Sequence, residues 1–436
     1  MAYTSPAVVI DNGSYTTKAG FASEDLPSLV FNSNYSIDPN NPESFVIGDE
    51  EIDSQPENEI MTLLDNGIIY DFDHIVKNWE YVYNNVDSHS SIDSKEYPLV
   101  MTEQSWNTSK NKLATTQIVF ENFEVPIFSL VKSPLSQLYR AGKSTGIVID
   151  IGSSVASVTP ILDGIIQNKS SFHSKYAGDF VNLHVLNYLQ TKTSIESLLP
   201  SSYAKASEPF KHYYTSHNVL QEYKNLSMNF QLKHFQLDNQ SHISVDDSPN
   251  LLLNVINPTL HKLPNITLPE ATPDKPNTHG IVNLVFFALK SLQHTLLPAN
   301  NESSSSHNKY AKFTEIFKEL LGNILITGGS SNLNGLPEKI LNDLRLSIQE
   351  VYSGYAFIYN VQTIRHSSSA DPSNEIWDRQ FGSWLGACNL ANMLNDVSNN
   401  EEGIESNSVK IALDNWFVTK ADYEELGEDL IVEKFK

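Results

Sequence analysis

The chain has 436 residues, 40% of them hydrophobic, which fits a globular protein with two or three domains rather than a disordered one. A formal net charge of −23 repels phosphate backbones, so we expect no direct nucleic-acid binding. The single cysteine, Cys388, excludes an internal disulfide and favours a reducing, intracellular compartment. The longest apolar stretch, around Ile281–Leu289, is too short to cross a membrane.

The first predicted elements form a strand–turn–strand unit. Residues 7–11 are an apolar run that ends in Asp11, which is typical of a buried strand. Residues 12–14 form a turn, and a second short strand covers residues 17–21.

Several further elements precede the second such unit. The pattern predicts a loop over 36–44, a helix over 73–86 with Ile75, Trp79 and Tyr83 at helical spacing, and a strand over 99–101. Another helix is expected to start with Ser133 as its cap and Pro134 in its first turn, and to stop at Gly142.

The second unit repeats the first about 140 residues later along the chain. Residues 146–151 are an apolar strand that contains Asp150, Gly152 opens a turn, and a further strand covers residues 155–162. Two copies of a strand–Asp–x–Gly–turn–strand unit indicate an internal duplication of two similar lobes.

The remaining elements are predicted from spacing and composition. An amphipathic helix is expected over 179–190, with Phe180, Leu183, Leu186 and Leu189 on its buried side. A strand over 323–327 runs into Gly328 and Gly329, and a helix opens near Gly335 with Leu336, Ile340, Leu344 and Ile348 along one face. An extended connector is expected over 264–279, and polar insertions over 298–308 and 396–408.

The first turn carries the residue types that hold a phosphate. Gly13 lets the backbone N–H groups approach an anion, Ser14 can donate a hydrogen bond, and Lys18 can neutralise charge. Gly152 occupies the equivalent place in the second turn.

The acids and the glycine pair complete the candidate site. Asp11 and Asp150 would meet across a cleft and hold a hydrated Mg²⁺, which prefers few carboxylates and several waters. Gly328 and Gly329, at a strand end, would let a flat adenosine lie against the backbone.

Five segments carry a family resemblance. DNGSYTTKAGFA (11–22) and GIVIDIGSSVASVTPILDG (146–164) resemble the two phosphate loops of actin, ILITGGSSNLNG (324–335) resembles its adenosine loop, and WLGACNLANM (384–393) and WFVTKADYEELG (416–427) resemble its C-terminal signature. The chain therefore resembles the actin and actin-related proteins over nearly its whole length.

The resemblance implies an α/β chain with an actin-like ATPase fold, in which two duplicated RNase H-like lobes surround a nucleotide cleft. Residues 1–145 would form the first lobe, with 352–436 packing back on it, and 146–351 the second. The implied cofactor is ATP with Mg²⁺, although an empty cleft is equally compatible with the sequence.

The departures from actin bear on catalysis. Where actin has the glutamine that orients the attacking water, this chain has Ser133. Ser153 stands in place of the acid of the second phosphate loop, and Ser157 in place of the histidine near the γ-phosphate. Leu333 stands in place of the tyrosine that covers the adenine. Because these serines are too short to replace longer groups, we expect a pseudo-ATPase that can bind nucleotide without efficient hydrolysis. The short polar segment 36–44 also argues against filament formation.

Together the departures resemble the divergent actin-related proteins of fungal SWI/SNF- and RSC-type chromatin remodellers. That resemblance implies a nuclear, non-catalytic or weakly catalytic subunit that pairs with a second actin-related protein and binds a helix of the motor subunit. The implied helix-binding cleft would be lined by Tyr139, Leu385, Leu390 and Met393. Two alternatives stay open: an active actin-like cytoskeletal ATPase, and a pointed-end subunit of the dynactin type.

Overall fold

A computed structural model of the chain describes residues 5–227, 234–236, 242–244, 253–254, 256–258, 268–270, 272, 274–297, 306–366, 372–395 and 407–436. Most of the predicted insertions at 298–308 and 396–408, and part of the predicted connector at 264–279, lie outside these residues. Within them, the longest helices are too short or too polar to span a lipid bilayer.

The elements up to residue 140 alternate short strands with a few helices. The strands are β1 Val8–Asn12, β2 Thr16–Phe21, β3 Leu29–Asn32, β4 Tyr35–Asp38, β5 Asn41–Val46, β6 Glu59–Met61, β7 Leu64–Asp65, β8 Ile68–Ile69, β9 Leu99–Glu103 and β10 Ile127–Lys132. The helices are α1 Asp49–Asp53, α2 Phe72–Asn85, α3 Ser109–Gln117 and α4 Ser133–Arg140.

The elements from residue 146 onward begin with strands and end with helices. The strands are β11 Gly146–Ile151, β12 Ala156–Leu162, β13 Ile165–Ile166, β14 Phe172–Ser174, β15 His234–Gln236, β16 His242–Ser244, β17 Ile324–Thr327, β18 Thr363–Ile364 and β19 Val418–Thr419. The helices are α5 Gly178–Gln190, α6 Ile195–Leu198, α7 Glu208–Tyr214, α8 Leu220–Ser227, α9 Ile281–Leu296, α10 Ser306–Gly322, α11 Leu336–Val351, α12 Pro372–Ala391, α13 Asn407–Asn415 and α14 Lys420–Lys434.

Two sheets of similar topology form the centres of the lobes. The first has the strand order β19-β10-β9-β1-β2-β3, and the second the order β13-β12-β11-β17-β18. In each, an antiparallel hairpin (β1–β2 or β11–β12) is followed by a parallel strand (β9 or β17) against its first strand. Asp11 pairs with Lys18 in the first hairpin, and Asp150 pairs with Ser157 in the second. The predicted duplication is therefore present in the architecture.

The first sheet is covered on both faces, because successive side chains of a strand point to opposite sides. Val8 and Ile10 belong to the apolar cluster that contains Trp79 of α2. Val9 belongs to the cluster on the other face, which contains Trp384 of α12. Trp384 also donates a hydrogen bond from Nε1 to the Val9 carbonyl at 3.0 Å.

The C-terminal segment returns to the first sheet. Strand β19 pairs antiparallel with β10, with Thr419 opposite Ile127. These contacts place parts of residues 372–436 on the first lobe, while the boundaries expected at residues 145, 146, 351 and 352 stay a prediction.

Several predicted elements are confirmed. Helix α2 is capped by Asp71, whose side chain accepts from the His74 N–H, and buries Ile75, Trp79 and Tyr83. Helix α11 buries the four predicted apolar residues Leu336, Ile340, Leu344 and Ile348.

Three local predictions are wrong. Residues 36–44 lie in the hairpin β4–β5 rather than a loop, because β5 is an edge strand, where Pro42 is tolerated. Leu183 is 49% exposed, because α5 instead buries Val181, Val185 and Leu189 toward the second sheet. Ser133 is the first residue of α4 rather than its side-chain cap.

Candidate functional site

A cleft of about 810 Å³ lies between the two lobes. It is lined by the first hairpin turn, the second hairpin turn, the start of α5, one side of α8 and the turn after β17. All eight residues predicted to hold a nucleotide line it: Asp11, Gly13, Ser14, Lys18, Asp150, Gly152, Gly328 and Gly329. The structure therefore brings the three predicted loops together, and their role in nucleotide binding stays a prediction.

The two hairpin turns have matching hydrogen bonds. The Gly13 N–H donates to the Thr16 carbonyl at 3.1 Å, and the Gly152 N–H donates to the Val155 carbonyl at 2.9 Å. A Cβ on Gly13 would lie 2.9 Å from the Thr16 oxygen, closer than side chains tolerate, so this tight turn requires glycine.

Asn12 anchors the first turn to helix α2. The Trp79 indole donates to Asn12 Oδ1 at 3.0 Å, and Asn12 Nδ2 donates to Asn78 Oδ1 at 3.2 Å. These side chains hold the turn against a buried part of the first lobe, which keeps its backbone in place beside the cleft.

Asp11 is paired and hydrogen-bonded. Lys18 Nζ lies 2.9 Å from Asp11 Oδ2, and Thr102 Oγ1 donates to Asp11 Oδ1 at 2.5 Å. The two side chains of the pair are only 12% and 13% exposed. This arrangement keeps both an anion and a cation at the wall of the cleft.

Asp150 lies at the corresponding end of β11. Gln137 Nε2 lies 3.3 Å from Asp150 Oδ2 and donates to it. Burial raises the pKa of the Asp150 carboxyl to about 6, and the nearby Asp11 adds to the rise, while Gln137 and Lys18 oppose it. Gly328 has a φ of +88°, and a Cβ there would collide with Asp150 Oδ1, so glycine is required at this corner.

The second turn is joined to the start of helix α5. The Gly178 N–H donates to the Gly152 carbonyl at 3.0 Å, and the Asp179 N–H donates to the Ser153 carbonyl at 2.8 Å. Ser153 Oγ in turn donates to Asp179 Oδ1 at 2.6 Å. Ser153 thus interacts with the helix terminus rather than supplying the acid found there in actin.

The two turns also contact one another across the cleft. Ser154 Oγ donates to Ser14 Oγ at 2.7 Å, although the two serines are 140 residues apart in the chain. Ser14 is thereby placed opposite the second lobe, where an anion between the turns could accept from it.

The acids suit a hydrated divalent cation. Among the described residues, no group of three or more His, Cys, Asp and Glu side chains could hold a metal on its own. Two carboxylates with the remaining positions filled by water are what Mg²⁺ accepts, so Asp11 and Asp150 fit this ion together with nucleotide phosphates.

Ser133 is buried in a network that the sequence did not reveal. Its hydroxyl lies 2.5 Å from Ser383 Oγ and accepts from Gln137 Nε2 at 3.1 Å. Gln137 also donates to Ser383 Oγ at 2.5 Å. Gln137 follows Ser133 by one helical turn on the same side of α4, a spacing that was visible in the sequence.

Other cleft residues also went unnoticed in the sequence. Lys224 and Gln221, which the sequence did not single out, line the cleft from α8. Leu333, which was expected beside the nucleotide, lines it near Gly329. Burial lowers the pKa of Lys224 to about 8, an effect that Asp179 opposes. The signal for these two residues was their i, i+3 spacing on one helix, which alone does not identify a ligand site.

The residues expected to bind a partner helix differ in exposure. Tyr139 is 37% exposed, whereas Leu385 and Leu390 are 5% and 7% exposed in the cluster on the first sheet. Met393 packs against that cluster and is partly buried. Of the four, Tyr139 is the side chain most available to a partner, and their role in partner binding stays a prediction.

Two duplicated α/β lobes that bring paired Asp-x-Gly turns to one cleft define the actin-like ATPase fold. The chain belongs to the actin family: the family model described as "Actin" matches residues 3–299.

Three curated relatives extend the similarity over nearly the whole chain. Actin-related protein 4 of Yarrowia lipolytica is 26% identical over 98% of this chain and 95% of its own. Actin-related protein 7 of Saccharomyces cerevisiae is 25% identical over 97% and 96%. The SWI/SNF and RSC complexes subunit arp42 of Schizosaccharomyces pombe is 26% identical over 98% of each chain.

Proposed function

We propose that this chain is a nuclear, actin-related subunit of a SWI/SNF- or RSC-type chromatin remodeller. The observation that carries the proposal is the end-to-end similarity to arp42, whose name states membership of both complexes. In the proposed assembly the chain pairs with a second actin-related protein and binds a helix of the motor subunit. The net charge of −23 supports contact with a basic helix.

The proposed cofactor is ATP with Mg²⁺. Gly13, Ser14 and Lys18 would contact the phosphates, and Asp11 and Asp150 would hold the hydrated ion. Bound Mg²⁺ would neutralise phosphate charge. The chain's own residues supply the backbone donors, one lysine and two carboxylates for this purpose.

Slow or absent hydrolysis is part of the proposal. Ser133 and Ser153 have short side chains that are engaged with Ser383 and Asp179, respectively. Ser157 is 2% exposed on β12. Ser153 and Ser157 line the cleft. Because a serine hydroxyl reaches less far than the side chain of a glutamine, an acid or a histidine, a water at the γ-phosphate would lack the orienting groups of actin.

A hydrolysing actin-like ATPase is the second candidate, and Gln137 is the observation that favours it. Gln137 lies one helical turn from Ser133, the position that corresponds to the glutamine of actin. Its side chain nevertheless lines the cleft and contacts Asp150. The two candidates separate in a phosphate-release assay with purified protein and Mg²⁺–ATP. Release no faster than that of a heat-denatured sample supports the scaffold, whereas turnover that Gln137→Ala abolishes and Ser133→Ala does not supports the ATPase.

A further inference from the structure

A buried apolar cluster joins the two lobes beside the cleft. Its fully buried members come from both sides: Ile52 of α1 in the first lobe and Phe210 of α7 in the second, each 0% exposed. Ala206 and Tyr213 complete it, with Ile60, Tyr203 and Tyr214 packed against it. We call these seven residues the inter-lobe cluster.

Hydrogen bonds surround the inter-lobe cluster. The Ser207 N–H donates to the Pro56 carbonyl at 2.8 Å, and Ser207 Oγ donates to the Asn58 carbonyl at 2.6 Å. The same hydroxyl accepts from the Phe210 N–H at 3.1 Å and so caps α7. Ser207 therefore caps a helix of the second lobe and at the same time donates hydrogen bonds to backbone carbonyls of the first lobe.

An aromatic column connects the inter-lobe cluster to the first hairpin turn. The Tyr213 ring lies 4.4 Å from the His217 ring, which stacks on Tyr15 with centroids 4.5 Å apart. Tyr15 OH donates to the His217 carbonyl at 3.3 Å, and Asn32 Nδ2 donates to Tyr213 OH at 3.1 Å. Each of these contacts joins one lobe to the other, except that between Tyr213 and His217.

A second aromatic contact bridges the lobes independently. Trp106 follows β9 in the first lobe and stacks on His173 of β14 in the second, with centroids 4.4 Å apart and 18° between the rings. Trp106 also lines the cleft. Opening the cleft would therefore break stacking at two separate places.

We propose that the inter-lobe cluster holds the two lobes together without help from a ligand in the cleft. Separating the lobes would expose Ile52 and Phe210 to water, and the cost grows with the apolar area exposed. The chain then behaves as one rigid body, and a molecule in the cleft enters or leaves only after this cluster opens. This inference concerns the chain alone and goes beyond its proposed place in a remodeller.

A disulfide across the cleft measures closure directly. Ser14 Oγ and Ser154 Oγ are 2.7 Å apart, so the double variant Ser14→Cys, Ser154→Cys should cross-link rapidly under mild oxidation without nucleotide. The native Cys388 is buried and does not compete. Adding Phe210→Ala is expected to slow cross-linking about tenfold or more, whereas adding His212→Ala, an exposed site on the same helix, is expected to leave the rate unchanged.

Equal cross-linking rates with Phe210→Ala and His212→Ala would overturn the inference. If Phe210→Ala does not fold, Ser207→Ala replaces it and is expected to slow cross-linking severalfold, since it removes the bond to Asn58. In the unmodified protein, the Ile52 and Phe210 amides should exchange hydrogen as slowly as those of α2, and exchange of either within seconds would contradict a closed cluster. Neither assay uses a partner or nucleotide, so both outcomes leave the remodeller proposal to its own tests.

Discussion

Tyr15 in the first hairpin turn and His217 beyond α7 stack almost parallel, with 4° between their rings. They are 202 residues apart in the chain, and they place an aromatic contact between the lobes beside the candidate nucleotide site. Stacked rings of this kind contribute about 0.5–1.5 kcal/mol beyond the area that they bury.

His217→Ala is therefore expected to lower the free energy of unfolding by about 1–3 kcal/mol, because the ring also packs on Tyr213. His212→Ala, an exposed position five residues earlier, is expected to change it by less than about 0.5 kcal/mol. Urea unfolding followed by fluorescence measures both. Similar values for the two variants would show that the stack contributes little.

His366 predicts a dependence of stability on pH. Burial lowers the pKa of this histidine to about 4; Asp378 opposes the shift, and Arg140 and Arg379 add to it. Below pH 6.5 the unfolded chain takes up the proton first, so the free energy of unfolding falls as the pH drops from about 6.5 to about 4. The fall should be about 3 kcal/mol larger in the wild type than in His366→Gln.

Unfolding curves at several pH values between 7 and 4 test this difference. Both proteins share the titration of all other groups, so the comparison isolates His366. The same pH dependence in the two proteins would contradict a neutral, buried histidine.

Lys18 is expected to contribute to ATP affinity, since it is a cation at the wall of the cleft, 2.9 Å from Asp11. Lys18→Ala should weaken Mg²⁺–ATP binding by about 1–3 kcal/mol, the usual cost of losing a hydrogen bond to a charged group. Lys143→Ala, which changes an exposed lysine, should bind as the wild type does. Isothermal titration calorimetry measures the three affinities, and equal values would exclude Lys18 from the site.

The local parts of the fold could be predicted because their signals lie in short stretches of sequence. Apolar runs ending in or containing an aspartate indicated both hairpins, and helical spacing indicated α2 and α11. Residues 36–44 were misjudged because an edge strand accepts proline and polar residues, so composition there resembles a loop. The side of α5 predicted to be buried was also wrong. Leu183 and Val181 are both apolar, so only packing shows that Val181 is buried and Leu183 is exposed.

Contacts between distant residues could not be predicted from one sequence. Ser133 and Ser383 are 250 residues apart, and nothing local to either shows that they meet. The inter-lobe cluster likewise joins Ile52 to Phe210 through the relative placement of the lobes. The meeting of the eight predicted cleft residues could be predicted, because the family resemblance supplied the long-range information that the local pattern lacks.

The proposed partner surface predicts different outcomes for two residues. Tyr139→Ala should weaken binding of a basic helix about tenfold or more while leaving the melting temperature nearly unchanged, because this side chain is 37% exposed. Leu390→Asp should instead unfold the protein, because a charge would replace a side chain that is only 7% exposed. Thermal melts and helix-peptide titrations decide between these effects. Normal helix binding by Tyr139→Ala would contradict the proposed surface.

Isolation of the native assembly shows whether the chain works as a remodeller subunit. The tagged protein, purified from nuclei of its own cells at physiological salt, is analysed by quantitative mass spectrometry. We expect a remodeller motor subunit and a second actin-related protein, each present at about one copy per chain. Recovery of the protein alone, as a filament, or with dynactin subunits in place of a remodeller would show that it is not a remodeller subunit.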